Sequence, residues 1–213
     1  TKGIPHRLRA YEELLDEYLL SPTTTNFLQV AVPSREGISA YQDLRDEVEQ
    51  LVGHINGRFG TLDCGVMQYS HQSYSFESTV ALYLAADVLI VTSLRDGMNL
   101  VAKEFVTARK GRGGALVLSE FAGAADELEQ AIMVNPHDIS GLKEGIHRAA
   151  RLSETEQHAR ISAMAATVET HDVHRWAQRF LDRLRPSSPI YEQAGSAPIR
   201  NSDRTLQRAE TVD

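Results

Sequence analysis

VLIVTSLRDGMNLVAKEFVTA, residues 88–108, is the stretch from which the fold can be read. Val88, Leu89, Ile90 and Val91 form a largely β-branched apolar run suited to a parallel core strand, and Thr92 and Ser93 end it. Asp96 and Gly97 then supply the carboxylate and the permissive backbone of a sharp corner. Asn99 is placed to cap a helix whose apolar face runs through Leu100, Val101, Phe105 and Val106. A strand, a turn and a helix in that order leave unpaired N–H groups at the carboxyl end of a strand. Open α/β sheets take their ligands there, and a helix start favours an anion. Glu104 lies farther along the same helix, so an acid stands at each end of a run of backbone amides. On physics alone, a purely structural corner is the commoner use of such a turn.

The composition sets limits around that corner. With 213 residues, 42% hydrophobic and 24% charged, the chain can bury one good core and reads as a globular domain with a tail. A formal net charge of −7 argues against a broad nucleic-acid-binding face or adhesion to an acidic membrane, so any phosphate site must be local. Cys64 is the single cysteine, which excludes an internal disulfide and a thiolate metal cluster and fits a reducing, cytoplasmic setting. No apolar run approaches the ~18 residues of a membrane span, and the N-terminus lacks a signal-peptide pattern. Thr1-Lys2-Gly3 leads almost at once into a helix without an initiator Met, which we read as a boundary inside a larger protein.

Working outward, Pro5 to about Tyr18 reads as a helix, with Leu8, Tyr11, Leu15 and Leu19 at helical spacing. Lys2 therefore sits just before a helix start, behind a glycine that lets backbone approach a ligand; a solvated lysine is the bland alternative. NFLQVAV, ending at Val32, reads as a strand, after which Arg35 adds a cation at a strand end or simply pairs with Glu36 or Asp43. Ser39 to Phe59 is the longest helix, with a stripe of Tyr41, Leu44, Val48, Leu51, Val52 and Ile55. Val66 to Tyr69 is a short strand, and Phe76 to Ala86 a helix turning Val80, Leu82, Tyr83 and Leu84 inward. The polar loop between them holds Tyr74, a half-buried packing residue or a ring for a base, and His71, which has no partner to make a catalytic pair. Residues 110–114, KGRGG, follow a helix and precede a strand, so they read as a helix C-cap rather than a phosphate loop. Strands at Ala115 to Ser119 and Ile132 to Val134 follow. Three helices come next: Ile139 to Leu152, one announced by the capping box Ser153 and Glu156, and Val173 to Leu184. His171 and His174 lack the further ligands a zinc site needs and read as capping or surface residues. Trp176, Phe180, Leu181 and Leu184 are spaced to dock a terminal helix on the body. Residues 186–213 shift to Pro, Ser, Gly and charge and read as a disordered tail after a domain spanning 1–185. Strands alternating with helices give an α/β, Rossmann-like doubly wound parallel sheet.

The string LRDGMNLVAKEF resembles the nucleotide-sugar-binding segment of the trehalose-6-phosphate synthase family. These are retaining glucosyltransferases of the GT-B type that move glucose from UDP-glucose to glucose 6-phosphate. TKGI at the start, SEFAGAA at 119–125 and HDVHRWAQRFL at 171–181 resemble further segments of the same family, in the same order. The resemblance implies that the chain is the C-terminal, donor-binding half of such an enzyme, lacking the N-terminal half and one arginine upstream of Thr1. It assigns catalytic roles to Lys2 and Asp96, Lys2 on the diphosphate and Asp96 on glucose hydroxyls. It sets Gly97, Met98, Asn99, Leu100, Val101, Ala102 and Lys103 along the donor, Glu104 on the ribose and Tyr74 at the uracil. Arg35 would meet the phosphate of the acceptor. No metal or other cofactor is called for. The partners implied are UDP-glucose and glucose 6-phosphate, with no nucleic acid and no membrane; whether the chain forms a homo-oligomer stays open. Glycerol 3-phosphate or a similar acceptor, or a regulatory domain that kept the fold, are the alternatives, whereas a Rossmann dehydrogenase would need a G-x-G-x-x-G after a strand.

Overall fold

The computed structural model describes residues 1–33, 37–62 and 65–184. In chain order the elements are α1 (Ile4–Asp16), β1 (Phe27–Val30), α2 (Ser39–Phe59), β2 (Met67–Ser70), α3 (Phe76–Ala85), β3 (Val88–Val91) and α4 (Leu100–Ala108). Next come β4 (Ala115–Ser119), a 3₁₀ turn (Gly123–Asp126), β5 (Ile132–Val134), α5 (Ile139–Ala150), α6 (Glu154–Thr170) and α7 (Val173–Leu184). Every described strand pair is parallel, in one sheet of order β1-β2 and another of order β3-β4-β5. The α/β reading holds.

The centre of the core is β4 rather than β3. All five of its residues are buried, because it pairs on both sides, with β3 in the register Ile90 to Val117 and with β5 in the register Val117 to Ile132. Alternation sends Leu116 and Leu118 to one face, where they meet Phe105 and Val106 of α4 and Ile161 and Met164 of α6. Ala115 and Val117 face the other way, against Leu142 and Ile146 of α5 and Ala10 and Leu14 of α1. Helices thus cover both faces, as a parallel sheet requires. The expectation that residues 88–91 form a buried core strand needs correction. Val88, Leu89 and Ile90 are half-buried and only Val91 is buried, because β3 is an edge strand of its sheet.

A third apolar cluster joins α1, α2 and β2 through Leu8, Tyr11, Leu15, Val48, Ile55, Val66 and Met67, so α1 packs into two clusters at once. The inward face expected for α3 is only half-buried: none of its residues is fully enclosed. The glycine-rich connector is the helix C-cap and turn expected, with Gly111, Gly113 and Gly114 all at positive φ. Ser153 caps α6, accepting from the Glu156 N–H at 3.3 Å. His171 ends α6, its Nδ1 3.0 Å from the Thr167 carbonyl, which is the capping role read for it.

The chain divides into two compact units, Thr1–Asp172 and Val173–Asp213. In the second, α7 stacks Trp176 on Phe180 with ring centroids 5.7 Å apart, and no residue of the helix is buried. The tail expected at 186–213 lies outside the described residues. Among the described residues no helix is long and apolar enough to cross a membrane.

Candidate functional site: a cationic cleft at the strand ends

The corner after β3 is built by two neighbouring segments. Thr92 and Ser93 are buried, and the Ser119 hydroxyl at the end of β4 donates to the Ser93 carbonyl at 2.6 Å. The segment after β4 is then strapped to the turn. The Asp96 N–H donates to the Phe121 carbonyl at 3.2 Å, the Gly123 N–H to the Asp96 carbonyl at 2.9 Å, and the Ala124 N–H to the Met98 carbonyl at 2.6 Å. This contact explains the small residues of SEFAGAA: a Cβ at Gly123 would stand 2.4 Å from the Gly97 carbonyl oxygen.

Asn99 adopts a left-handed conformation with φ 76° and caps α4, its side-chain oxygen accepting from the Ala102 N–H at 3.0 Å. Its amide donates to Asp96 Oδ2 at 3.1 Å, so one side chain ties the helix start to the acid. Ala102 is buried and its N–H is spent in that cap. The N–H groups of Leu100 and Val101 are those a helix start leaves without an intrahelical acceptor. Met98, Leu100 and Val101 stand exposed around them.

Lys2 reaches this corner from the other end of the chain. Its Nζ lies 2.7 Å from Asp96 Oδ2. Burial acts to raise the Asp96 carboxyl, but bonds from Lys2 and Asn99, the Lys2 charge and the Met98 N–H outweigh it and hold the group below the usual carboxylate range. Lys2 can arrive there because Gly3 takes φ 61° and lies against Thr92. The Leu94 N–H donates to the Thr1 carbonyl at 2.8 Å, fixing the N-terminal backbone beside the turn.

Arg7, one turn into α1, crosses between strands: its Nε donates to Gln29 Oε1 at 2.8 Å and its Nη1 to Thr92 Oγ1 at 2.9 Å. Burial draws the guanidinium down to about 10, still a cation at neutral pH. Glu104 accepts from the Tyr83 hydroxyl at 2.8 Å. Burial, that bond and the Glu104 charge push the Tyr83 phenol up, so it stays a donor. Lys103 spends its ammonium on Glu127 at 2.8 Å. The Tyr74 hydroxyl is 2.7 Å from Ser70 Oγ and receives the Gln72 amide at 2.9 Å, which holds the loop after β2 in place. Arg35 lies outside the described residues.

A cleft of about 1020 Å³ opens at the carboxyl ends of β1, β2 and β3. Among the described residues that line it are Lys2, Arg7, Arg9, Arg45 and Arg95, with His6, His71 and Glu47; Lys2 is paired with Asp96, Arg9 with Glu47 and Arg45 with Glu49. A chain of net charge −7 thus concentrates cations in one concave place. Such a site can hold a polyanion and stabilise negative charge as it develops on a leaving group.

The glycosyltransferase family 20 model matches residues 1–186. The chain belongs to glycosyltransferase family 20. It is 50% identical over 194 residues to a trehalose-6-phosphate synthase of Mycolicibacterium gilvum, covering 91% of this chain and 39% of that protein. A crystal structure of a UDP-forming α,α-trehalose-phosphate synthase from Burkholderia xenovorans, in complex with glucose 6-phosphate, superimposes with a TM-score of 0.82 at 43% identity. The superposition covers 86% of this chain and 40% of that one. An E. coli structure bound with UDP-2-fluoro glucose gives a TM-score of 0.83 at 38% identity, covering 88% and 42%. The chain therefore spans about two fifths of the relatives it matches.

Within this family 20 chain, the structure brings Lys2 to the turn of Asp96 and Asn99, a link that sequence spacing could not supply. Leu100 and Val101 complete the group, whereas Glu104 and Tyr74 occupy their own local networks. Sequence reasoning missed Arg7, Thr92 as more than a strand end, and Gln29. A signal existed: Arg7 precedes Tyr11 and Leu14 at i+4 and i+7 of a buried stripe, and Gln29 interrupts NFLQVAV at a position that proves 3% exposed. A polar residue inside an apolar pattern is the informative deviation.

Proposed function

We propose that this chain is the donor-binding portion of a UDP-forming α,α-trehalose-phosphate synthase. The observation that carries the proposal is the convergence of the Lys2 ammonium, the Asp96 carboxylate and the α4 start on one corner beside a cationic cleft. In this reading the diphosphate of UDP-glucose takes the Lys2 ammonium and the Leu100 and Val101 N–H groups. The Asp96 carboxylate accepts from glucose hydroxyls and Glu104 from the ribose, while Tyr74 flanks the uracil and Arg35 meets the acceptor phosphate. The bond between the anomeric carbon and the β-phosphate oxygen breaks with its electron pair going to UDP. A glucose 6-phosphate hydroxyl adds to that carbon on the same face, and its proton passes to the departing phosphate. The products are trehalose 6-phosphate and UDP. A fixed cation and helix amides stabilise the leaving charge without reorganising. The rest of the acceptor pocket belongs to the part of the relatives that these residues do not span, and the reaction is assigned to the cytoplasm.

Calorimetric titration of the 213-residue chain with UDP tests the reading. Binding is expected, and Lys2→Ala should weaken it by about tenfold or more, as loss of a charge-assisted bond implies. No binding by either protein would favour a regulatory domain that kept the fold. The 213 residues alone should form no trehalose 6-phosphate from UDP-glucose and glucose 6-phosphate; measurable product would overturn that part.

A further inference from the structure

Lys2 is 61% exposed along its side chain, so packing does not decide where its ammonium stands. Its backbone, by contrast, is moored. Arg7 Nη1 donates to the Lys2 carbonyl at 3.2 Å and to Thr92 Oγ1 at 2.9 Å. The Thr92 hydroxyl, accepting from Arg7, has its own proton for the Gly3 carbonyl at 3.0 Å, with the Lys2 carbonyl 3.3 Å away. Arg7 is held in turn by Gln29, whose Oε1 accepts from Nε at 2.8 Å and whose amide donates to the Val30 carbonyl at 2.7 Å. Thr92 is fully buried and Gln29 nearly so. Neither can reach a molecule in the cleft, and both polar side chains are spent on this one assembly.

We infer that Arg7 and Thr92 are positioning residues for Lys2: they fix the backbone from which its ammonium meets the donor diphosphate. The inference rests on the donor-site reading above. A half-buried cation with a buried hydroxyl is a demanding way to secure the Lys2 and Gly3 carbonyls, since each group must keep its partners or be left unsatisfied. Apolar packing could join α1 to β3 without that demand. What packing could not supply is direction: one guanidinium bonds Gln29, Thr92 and the Lys2 carbonyl at once.

A double-mutant cycle separates positioning from simple cohesion. UDP affinity is measured by calorimetry on the wild-type chain, Lys2→Ala, Thr92→Val, Thr92→Ser and the Lys2→Ala/Thr92→Val pair. Thr92→Val keeps the shape and removes the hydroxyl. It should weaken UDP about three- to tenfold, the range of one or two lost hydrogen bonds. Thr92→Ser restores the hydroxyl and should stay within about twofold of wild type. In the Lys2→Ala background, Thr92→Val should change affinity by less than about twofold, because the group it positions is gone. An unchanged affinity for Thr92→Val, or the same loss with and without Lys2, overturns the inference. If Lys2→Ala binds UDP like wild type, the donor reading fails and the inference falls with it, a result distinct from additivity. Should Thr92→Val not fold, Arg7→Lys enters the same cycle, since an ammonium cannot span Gln29 and Thr92 together; additivity there is equally decisive against it.

Discussion

Gly3 stands at φ 61°, and a Cβ there would fall 2.0 Å from the Thr92 carbonyl oxygen. Two independent requirements meet in one residue, a left-handed backbone and the close approach of two chain segments. Gly3→Ala should therefore lose about 1–2 kcal/mol from the left-handed conformation alone, and more from the displaced Thr92. Urea unfolding measures it, and a variant as stable as wild type would contradict the approach. Asn99 also sits at positive φ but carries a working side chain, accepting from Ala102 and donating to Asp96. Asn99→Gly keeps the backbone and removes both bonds. It should cost only a few tenths of a kcal/mol of cap stability, yet weaken UDP severalfold because Asp96 loses a fixed partner. Equal UDP affinity in a calorimetric comparison would show that Asp96 does not need that anchor. The Lys2 and Asp96 pairing was not visible as a contact in the sequence: the residues lie 94 positions apart, and no periodicity links them. Family-like strings named both, whereas the hydrogen bonds of the buried Thr92 hydroxyl and the half-buried Arg7 guanidinium behind Lys2 had to be seen.

Among the elements, α2, β3, β4, β5 and α7 match their expected bounds, because apolar runs and local caps announce themselves within a few residues. The rank of a strand within its sheet is a different kind of fact. Val88–Val91 and Ala115–Ser119 read alike as apolar runs, yet one lies at an edge and the other pairs on both sides. A strand's neighbours are set by long-range pairing, which a short apolar run does not reveal. The difference is measurable. Leu118→Ala removes a fully buried side chain packed between α4 and α6 and should cost about 2–5 kcal/mol. Leu89→Ala, on a half-buried edge residue, should cost about half of that or less. Comparable losses in denaturant melts would mean that β3 is enclosed after all. The strap from Phe121–Ala124 onto the turn was likewise unreadable beforehand, because it is made by backbone groups and by the absence of a Cβ at Gly123.

At the scale of the whole molecule, acid should act on this protein in two separable stages, and the sign of each follows from its group. His6 is held below its ordinary value of 6.5, first by burial, then by His137, Arg9 and the N-terminal charge, with Glu47 opposing them. The unfolded chain therefore takes up a proton there before the folded one does. Stability falls as pH drops below about 6.5 and stops falling, for this group, once the folded His6 is itself protonated. Asp96 works later: its folded value lies below 3.8, so the contribution of its pairing with Lys2 and Asn99 is complete above 3.8 and is lost only as pH falls through the lower folded value. Unfolding free energies measured in denaturant from pH 8 to pH 3 should thus show a first decline near pH 6. One proton limits its slope to about 1.4 kcal/mol per pH unit. His6→Gln, which cannot take the proton, should flatten that first decline and leave the acid limb, whereas Asp96→Asn should soften the limb below pH 4 and leave the first decline. A first decline of the same slope in His6→Gln would assign it to a group other than the half-buried His6, which stands beside His137 with ring centroids 5.8 Å apart.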